Sequence, residues 1–247
     1  MPKRDSGLSA NLAASHKDLL TALHALAATR LLGLPASSTY TGSPHVVLGV
    51  TTPELRRLAR QWLAANKSLS GQEILLIVDR LIASHVHDEK TLGALILGYA
   101  NTARSATTTV RLNVWLDALV GWAEVDALCS NVFQPEDFLA DWATYKPWLR
   151  RLSADANPNK RRASLVLLTG PVRRNDDPRL AQTALANLRD LQHERSILIT
   201  KAISWLLRSL VALHRTAVIS YLDSNRSALP AIAIREVSVK LQTGRKR

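Results

Sequence analysis

Apolar residues recur at intervals of three and four along almost the whole chain, and runs that alternate with period two are nearly absent. That spacing places them on one stripe of one helix after another, so an all-α fold is expected and a sheet-built core is excluded. Leu8 to Leu32 reads as a first helix, and Gly33 to Gly49, with Pro35, Gly42 and Pro44 among serines and threonines, reads as a break. Thr52 caps the next helix with Pro53 at its first position, and that helix runs to about Ala65. Ser70 or Gly71 then opens a helix whose buried stripe is Ile74, Leu75, Val78, Leu81 and Ile82. His87-Asp88-Glu89-Lys90 begins another, with acids in its first turn as the macrodipole favours.

Thr107 to Val120 and Trp122 to Val132 form two helices hinged near Gly121, or one helix bent there. Gln134-Pro135-Glu136-Asp137 is a start signal, and Asp141 to Ala154 carries Trp142, Tyr145 and Trp148. Asn157-Pro158 opens a basic helix that ends before Gly170-Pro171, followed by a loop from Val172 to Pro178 with Arg173 and Arg174. Asp176 or Asp177 caps the helix that runs to about Leu191. Arg195 to Leu213, Arg215 to Leu222 and Leu229 to Leu241 complete the series before the basic tail 244–247. Helices paired at roughly 35 to 45 residues per pair suggest a HEAT-like α-α superhelix with a concave basic groove, a single domain over 1–247 with 1–35 as its N-terminal helix.

The chain has 32 Lys plus Arg against 20 Asp plus Glu, a formal charge of +12 over 247 residues. A surplus of this size favours a polyanionic partner, nucleic acid before membrane. Cys129 is the only cysteine, which leaves no disulfide framework and no cysteine zinc site and fits a reducing, intracellular setting, cytoplasmic or nucleoid-associated. No run of about 18 uncharged apolar residues appears, so neither a membrane span nor a secretory segment is expected. His85 and His87 lack a third ligand at metal-binding spacing, so no metal is expected. No glycine-rich phosphate loop is present, and no cofactor is expected.

Three constellations carry chemistry. Trp122 and Asp126 stand at i, i+4, which sets an indole and a carboxylate on one helix face. A Trp packed between helices with the Asp in solvent is the plainer alternative. In Arg195 to Leu213 the residues Ile199, Ala202, Ile203, Leu206 and Leu210 form the buried stripe. Lys201 and Arg208 project close to opposite it, with Trp205 about 120° from its centre, between two cations. Packing of Trp205 beside Leu198 is the competing account. Lys160, Arg161 and Arg162 are consecutive cations at a helix N-terminus, where they oppose their own dipole, a placement that an anionic ligand or plain solvation offsets.

From about Tyr40 to Leu241 the chain resembles the AlkD-type DNA alkylation repair glycosylases. The matching pieces are Gly49-Val50 with Pro53 and Arg56, His87-Asp88-Glu89-Lys90, Trp122 with Asp126, Arg161-Arg162-Ala163, and Lys201-Ala202-Ile203-Ser204-Trp205 with Leu207-Arg208. The resemblance implies a catalytic carboxylate at Asp126, groove tryptophans at Trp122 and Trp205, and a DNA-contacting arginine at Arg162, with Arg161 as the competing alignment. Tyr40 is the candidate for an aromatic near the N-terminal helices, and the second Trp often found beside the first is absent from Trp122-Ala123-Glu124. Lys160, Lys201 and Arg208 join the expected DNA-binding set.

The resemblance implies excision of purines alkylated at N3 or N7 from double-stranded DNA by a metal-independent monomer. Such a base already carries positive charge and leaves neutral, so one carboxylate suffices where ordinary glycoside hydrolysis uses two. The base is not expected to be extruded into a deep pocket, and bulky adducts are expected to be tolerated. A non-catalytic protein that binds damaged or branched DNA, and a protein-interaction solenoid, are the alternatives, since fold does not establish catalysis.

Overall fold

The computed structural model describes residues 9–29 and 42–245. Tyr40 lies outside the described residues, as do Leu8, residues 30–32 of the expected first helix and much of the loop that follows it. The fold is all-α, as the periodicity predicts; among the described residues no strand forms, and Val46 meets Val86 in an isolated parallel bridge. No described helix is long and apolar enough to cross a membrane. The chain forms two compact units, one up to Thr108 and one from Thr109 onward.

The first unit contains α1 (Ala10–Ala28), α2 (Thr52–Ala65), α3 (Gly71–Ala83), α4 (His87–Tyr99) and the short α5 (Asn101–Ser105), which the sequence pattern did not suggest. The α2 start lies one residue earlier than expected: Thr51, not Thr52, is the cap, and Glu54 accepts from the Thr51 backbone at 3.0 Å and its hydroxyl at 2.6 Å. At α3 the same box forms between Ser70 and Glu73. Central to this unit is α4, buried from Asp88 through Leu97 except for Glu89 and packed on α2 and α3. Asp88 is buried because it has work other than balancing a dipole. Its carboxylate accepts from Leu48 N at 2.7 Å and Val50 N at 2.9 Å, across Gly49, whose φ of +80° suits a residue without a Cβ. Lys90 donates to Ile82 O at 2.6 Å, closing a carbonyl in the last turn of α3. Two separated sequence pieces, Gly49-Val50 and His87 to Lys90, are thus one clasp.

The second unit holds α6 (Thr109–Ala118), α7 (Gly121–Asn131), α8 (Pro135–Ala140), α9 (Trp142–Ser153), α10 (Pro158–Thr169), α11 (Pro171–Arg174), α12 (Pro178–Leu191), α13 (Ile197–Leu210), α14 (Arg215–Asn225) and α15 (Ala231–Thr243). One row runs α7, α10, α13, α15, each packed on the next; α9 and α12 pack together against α10, and α14 against α13. The expected loop after Gly170 is corrected in part, since Pro171 to Arg174 makes one helical turn. Prolines at the first helical position follow polar caps at Gln134, Asn157 and Asp177. Of the two candidates at α12, Asp177 is the cap, accepting from Arg179 N at 2.9 Å. Every residue of α10 from Arg162 to Thr169 is buried, so this helix has neighbours on all sides and an arginine enters the interior with it.

Candidate active site

The site is built from α7, α10, α13 and α15. Gly121 opens α7 with φ +81°, a left-handed conformation that separates α7 from α6 and suits a residue without a Cβ. Its N–H donates to Asn159 Oδ1 at 3.2 Å, and Val120 N donates to the buried Glu124 carboxylate at 2.9 Å. These bonds satisfy two orphan donors at the start of α7 and tie it to the start of α10. Trp122 follows in the first turn, half-buried, and Asp126 stands one turn later.

Arg162 meets Asp126 as a two-pronged fork: Nε donates to Oδ1 at 2.8 Å and Nη2 to Oδ2 at 2.7 Å. The Arg162 side chain is 5% exposed and that of Asp126 17%. On its other side Arg162 donates through Nη1 to Leu198 O. One guanidinium therefore joins α7, its own α10 and α13, with partners 36 residues away in each direction. Burial lifts the Asp126 carboxyl above its ordinary value, and the two bonds and the charge of Arg162 pull against that lift without cancelling it. Cys129, one turn further along α7, is pushed well up by burial, with the Asp126 charge adding to the effect.

The neighbouring cations behave differently. Arg161 donates to Glu194 at 2.5 Å and to the Asp155 and Ala156 carbonyls at 2.9 Å, so it closes a loop and does not join Asp126. Lys160 is held by Asp117 at 2.6 Å, with Asp155 at 3.8 Å. The sequence run 160–162 is therefore not one basic patch; adjacent residues point about 100° apart on a helix and meet different neighbours.

On α13 the expected stripe of Ile199, Ala202, Ile203, Leu206 and Leu210 is buried, while Lys201 is exposed and Trp205 and Arg208 are half-buried. The last three line a cavity of about 580 Å³ with Arg162 on its wall, so Asp126 is linked to the cavity through its arginine. Arg173, Glu236 and Lys240 also line it, and sequence reasoning gave none of the three a role here. Arg173 sits on a single helical turn that reads as loop, and the last two sit on the weakly amphipathic α15, whose phase only packing fixes. Glu236 accepts from Ser204 Oγ at 2.5 Å and lies 3.3 Å from Arg208 Nε, which orients that guanidinium. Among the described residues, no group of three or more His, Cys, Asp or Glu is arranged to hold a metal ion.

Trp205 with Lys201, Arg173, Arg208 and Lys240 around an open cavity suits a polyanionic partner. Among proteins of curated function no match is found. The family model described as DNA alkylation repair enzyme matches residues 33–241, which includes the helices α7, α10 and α13 and most of α15 that build the site. The chain therefore belongs to the DNA alkylation repair enzyme family, whose substrate is alkylation-damaged DNA.

Proposed function

We propose that this protein is a DNA glycosylase that hydrolyses the N-glycosidic bond of N3- and N7-alkylated purines in duplex DNA. The observation that carries the reading is the Asp126–Arg162 fork at the wall of a cavity lined by Trp205 and several cations. Alkylation at N3 or N7 puts positive charge on the purine, so the base departs neutral and needs no general acid. The sugar left behind becomes an oxocarbenium ion, and Asp126 stabilises it and orients the attacking water. At about 4 Å and an effective dielectric near 20 that attraction is on the order of 4 kcal/mol, or roughly 10³ in rate. The Arg162 charge offsets part of it, while its fork keeps the carboxylate ionised and aimed. Trp122 and Trp205 pack against the deoxyribose and favour the cation that develops there. Lys201 and Arg208 dock the phosphates while Arg162 stays on Asp126, with the lesion held in the open cavity and not in a deep pocket.

The test is single-turnover release of 7-methylguanine and 3-methyladenine from methylated duplex DNA. Asp126→Asn keeps the side-chain shape and is expected to retain lesion binding while losing roughly 10² to 10³ in excision rate. Unchanged turnover in that variant overturns the assignment. The fork itself supports a second reading, because a carboxylate with both oxygens bound to a buried arginine also serves as an interhelical tie. On that reading the protein binds damaged DNA without turnover, and neither wild type nor variant releases base.

A further inference from the structure

A second cationic groove lies on the α9 and α12 layer. Trp142, Lys146 and Arg150 succeed one another every fourth residue along α9, and Arg179, Gln182, Thr183 and Ala186 share one face of α12. The packing of α9 on α12 sets these stripes around a groove of about 250 Å³. None of its lining residues belongs to the α13 cavity.

The groove has a fixed framework. Arg150 donates through Nη1 to Asn187 Oδ1 at 2.8 Å and lies 2.7 Å from the Asp190 carboxylate. Asn187 is fully buried, and its amide donates to Leu149 O at 3.3 Å and Ser164 O at 3.0 Å. A satisfied buried network of this kind holds a side chain ready, which lowers the ordering cost when a ligand arrives. Arg179 is held by Asp177 at 2.7 Å and lies over the Trp142 ring, 5.9 Å from its centre. Tyr145 and Trp148 of the same helix are buried with Phe133 and Phe138, whereas Trp142 lines the groove. Lys146 is exposed beside it.

Arg150 and Arg179 are paired with Asp190 and Asp177, so the exposed Lys146 brings the charge that favours a phosphate, and Arg150 beside it offers further N–H donors. With Arg179 over one face of the Trp142 indole, the other face of the ring and the outer face of the guanidinium are the planes on which a base can stack. A duplex meets such a groove with phosphates only, since its bases are stacked inside; an unpaired nucleotide uses both features. The volume falls below the ~300 to 1,000 Å³ of pockets that enclose a small molecule, so it suits one residue of a polymer better than a free nucleotide. We propose that the α9–α12 groove binds single-stranded DNA, with one unpaired base stacked at Trp142 and Arg179 and its phosphate on Lys146 and Arg150. This site stands whether or not Asp126 is catalytic.

The experiment measures binding of fluorescent oligo(dT) of about twelve residues, a length in the range one single-strand site covers, to the full chain. An undamaged hairpin duplex and free thymidine monophosphate serve as comparison ligands. Trp142→Ala and Lys146→Glu are each expected to lower oligo(dT) affinity roughly tenfold or more, while duplex affinity and release of 7-methylguanine stay at the wild-type level. Lys146 is exposed, so its reversal tests the site without threatening the fold. Unchanged oligo(dT) affinity in Lys146→Glu overturns the proposal. So does an equal fall in duplex affinity, or competition by the free nucleotide at the oligomer's own concentration.

Discussion

At Asp126 two opposing effects meet, and their balance has a measurable sign. Burial raises the carboxyl above its ordinary value although Arg162 works against it, so the folded protein takes up this proton at a higher pH than the unfolded chain. Where the folded state binds the extra proton, stability falls as pH rises through the interval between the two values, and ionised Asp126 costs stability at neutral pH. In the proposed mechanism excision needs the ionised form. The rate is therefore expected to fall with acid around a midpoint above the ordinary carboxylate value, in single-turnover profiles of base release. Arg162→Met removes the counter-charge from a carboxylate only 17% exposed and moves that acid limb toward neutrality. It also destabilises the chain by about 3 kcal/mol, because the remaining charge is left buried and unpaired. An acid limb that stays in place shows that Asp126 is not the titrating group. The pairing of Trp122 with Asp126 on one face is legible from their spacing alone. The choice of Arg162 over Arg161 is not, since the two are adjacent cations and differ only in what α7 and α13 place beside them.

Elements were legible where polar caps and prolines mark them, and less so where the mark is a backbone angle. Asn157-Pro158 and Asp177-Pro178 begin α10 and α12 as their caps predict. The short α5 and the turn α11 escaped because four or five residues are too few to show a period. At Gly121 the sequence left two helices or one bent helix open, and the chain forms two helices with φ +81° at the start of the second. Only glycine adopts this region without strain, so Gly121→Ala is expected to cost about 1 to 2 kcal/mol and lower Tm by roughly 3 to 6 °C in thermal unfolding. Because Trp122 follows that turn and Asp126 rides on the same helix, the variant also loses excision rate beyond what its unfolded fraction explains. A wild-type Tm means that α7 starts without the left-handed residue.

Charge on the whole molecule was legible in amount but not in distribution. The +12 surplus points to DNA, and the family match agrees. Yet the fold turns many cations inward or onto acids: Lys160 to Asp117, Arg161 to Glu194, Arg162 to Asp126, Arg150 to Asp190. The α13 cavity presents Lys201, Arg173, Arg208 and Lys240, of which Arg208 already lies against Glu236. The duplex is therefore expected to release counterions from about three to four phosphates, and log K to fall against log salt with a slope of roughly −3 to −4. A protein using its whole surplus would give a slope near −11 by the same relation. Lys201→Ala removes one exposed contact and reduces the slope by about 0.9 without altering the ratio of lesion to undamaged affinity, because a phosphate contact carries no base information. A flat titration in the wild-type protein contradicts electrostatic docking altogether. A slope near −11 places the duplex on basic surface well beyond this cavity.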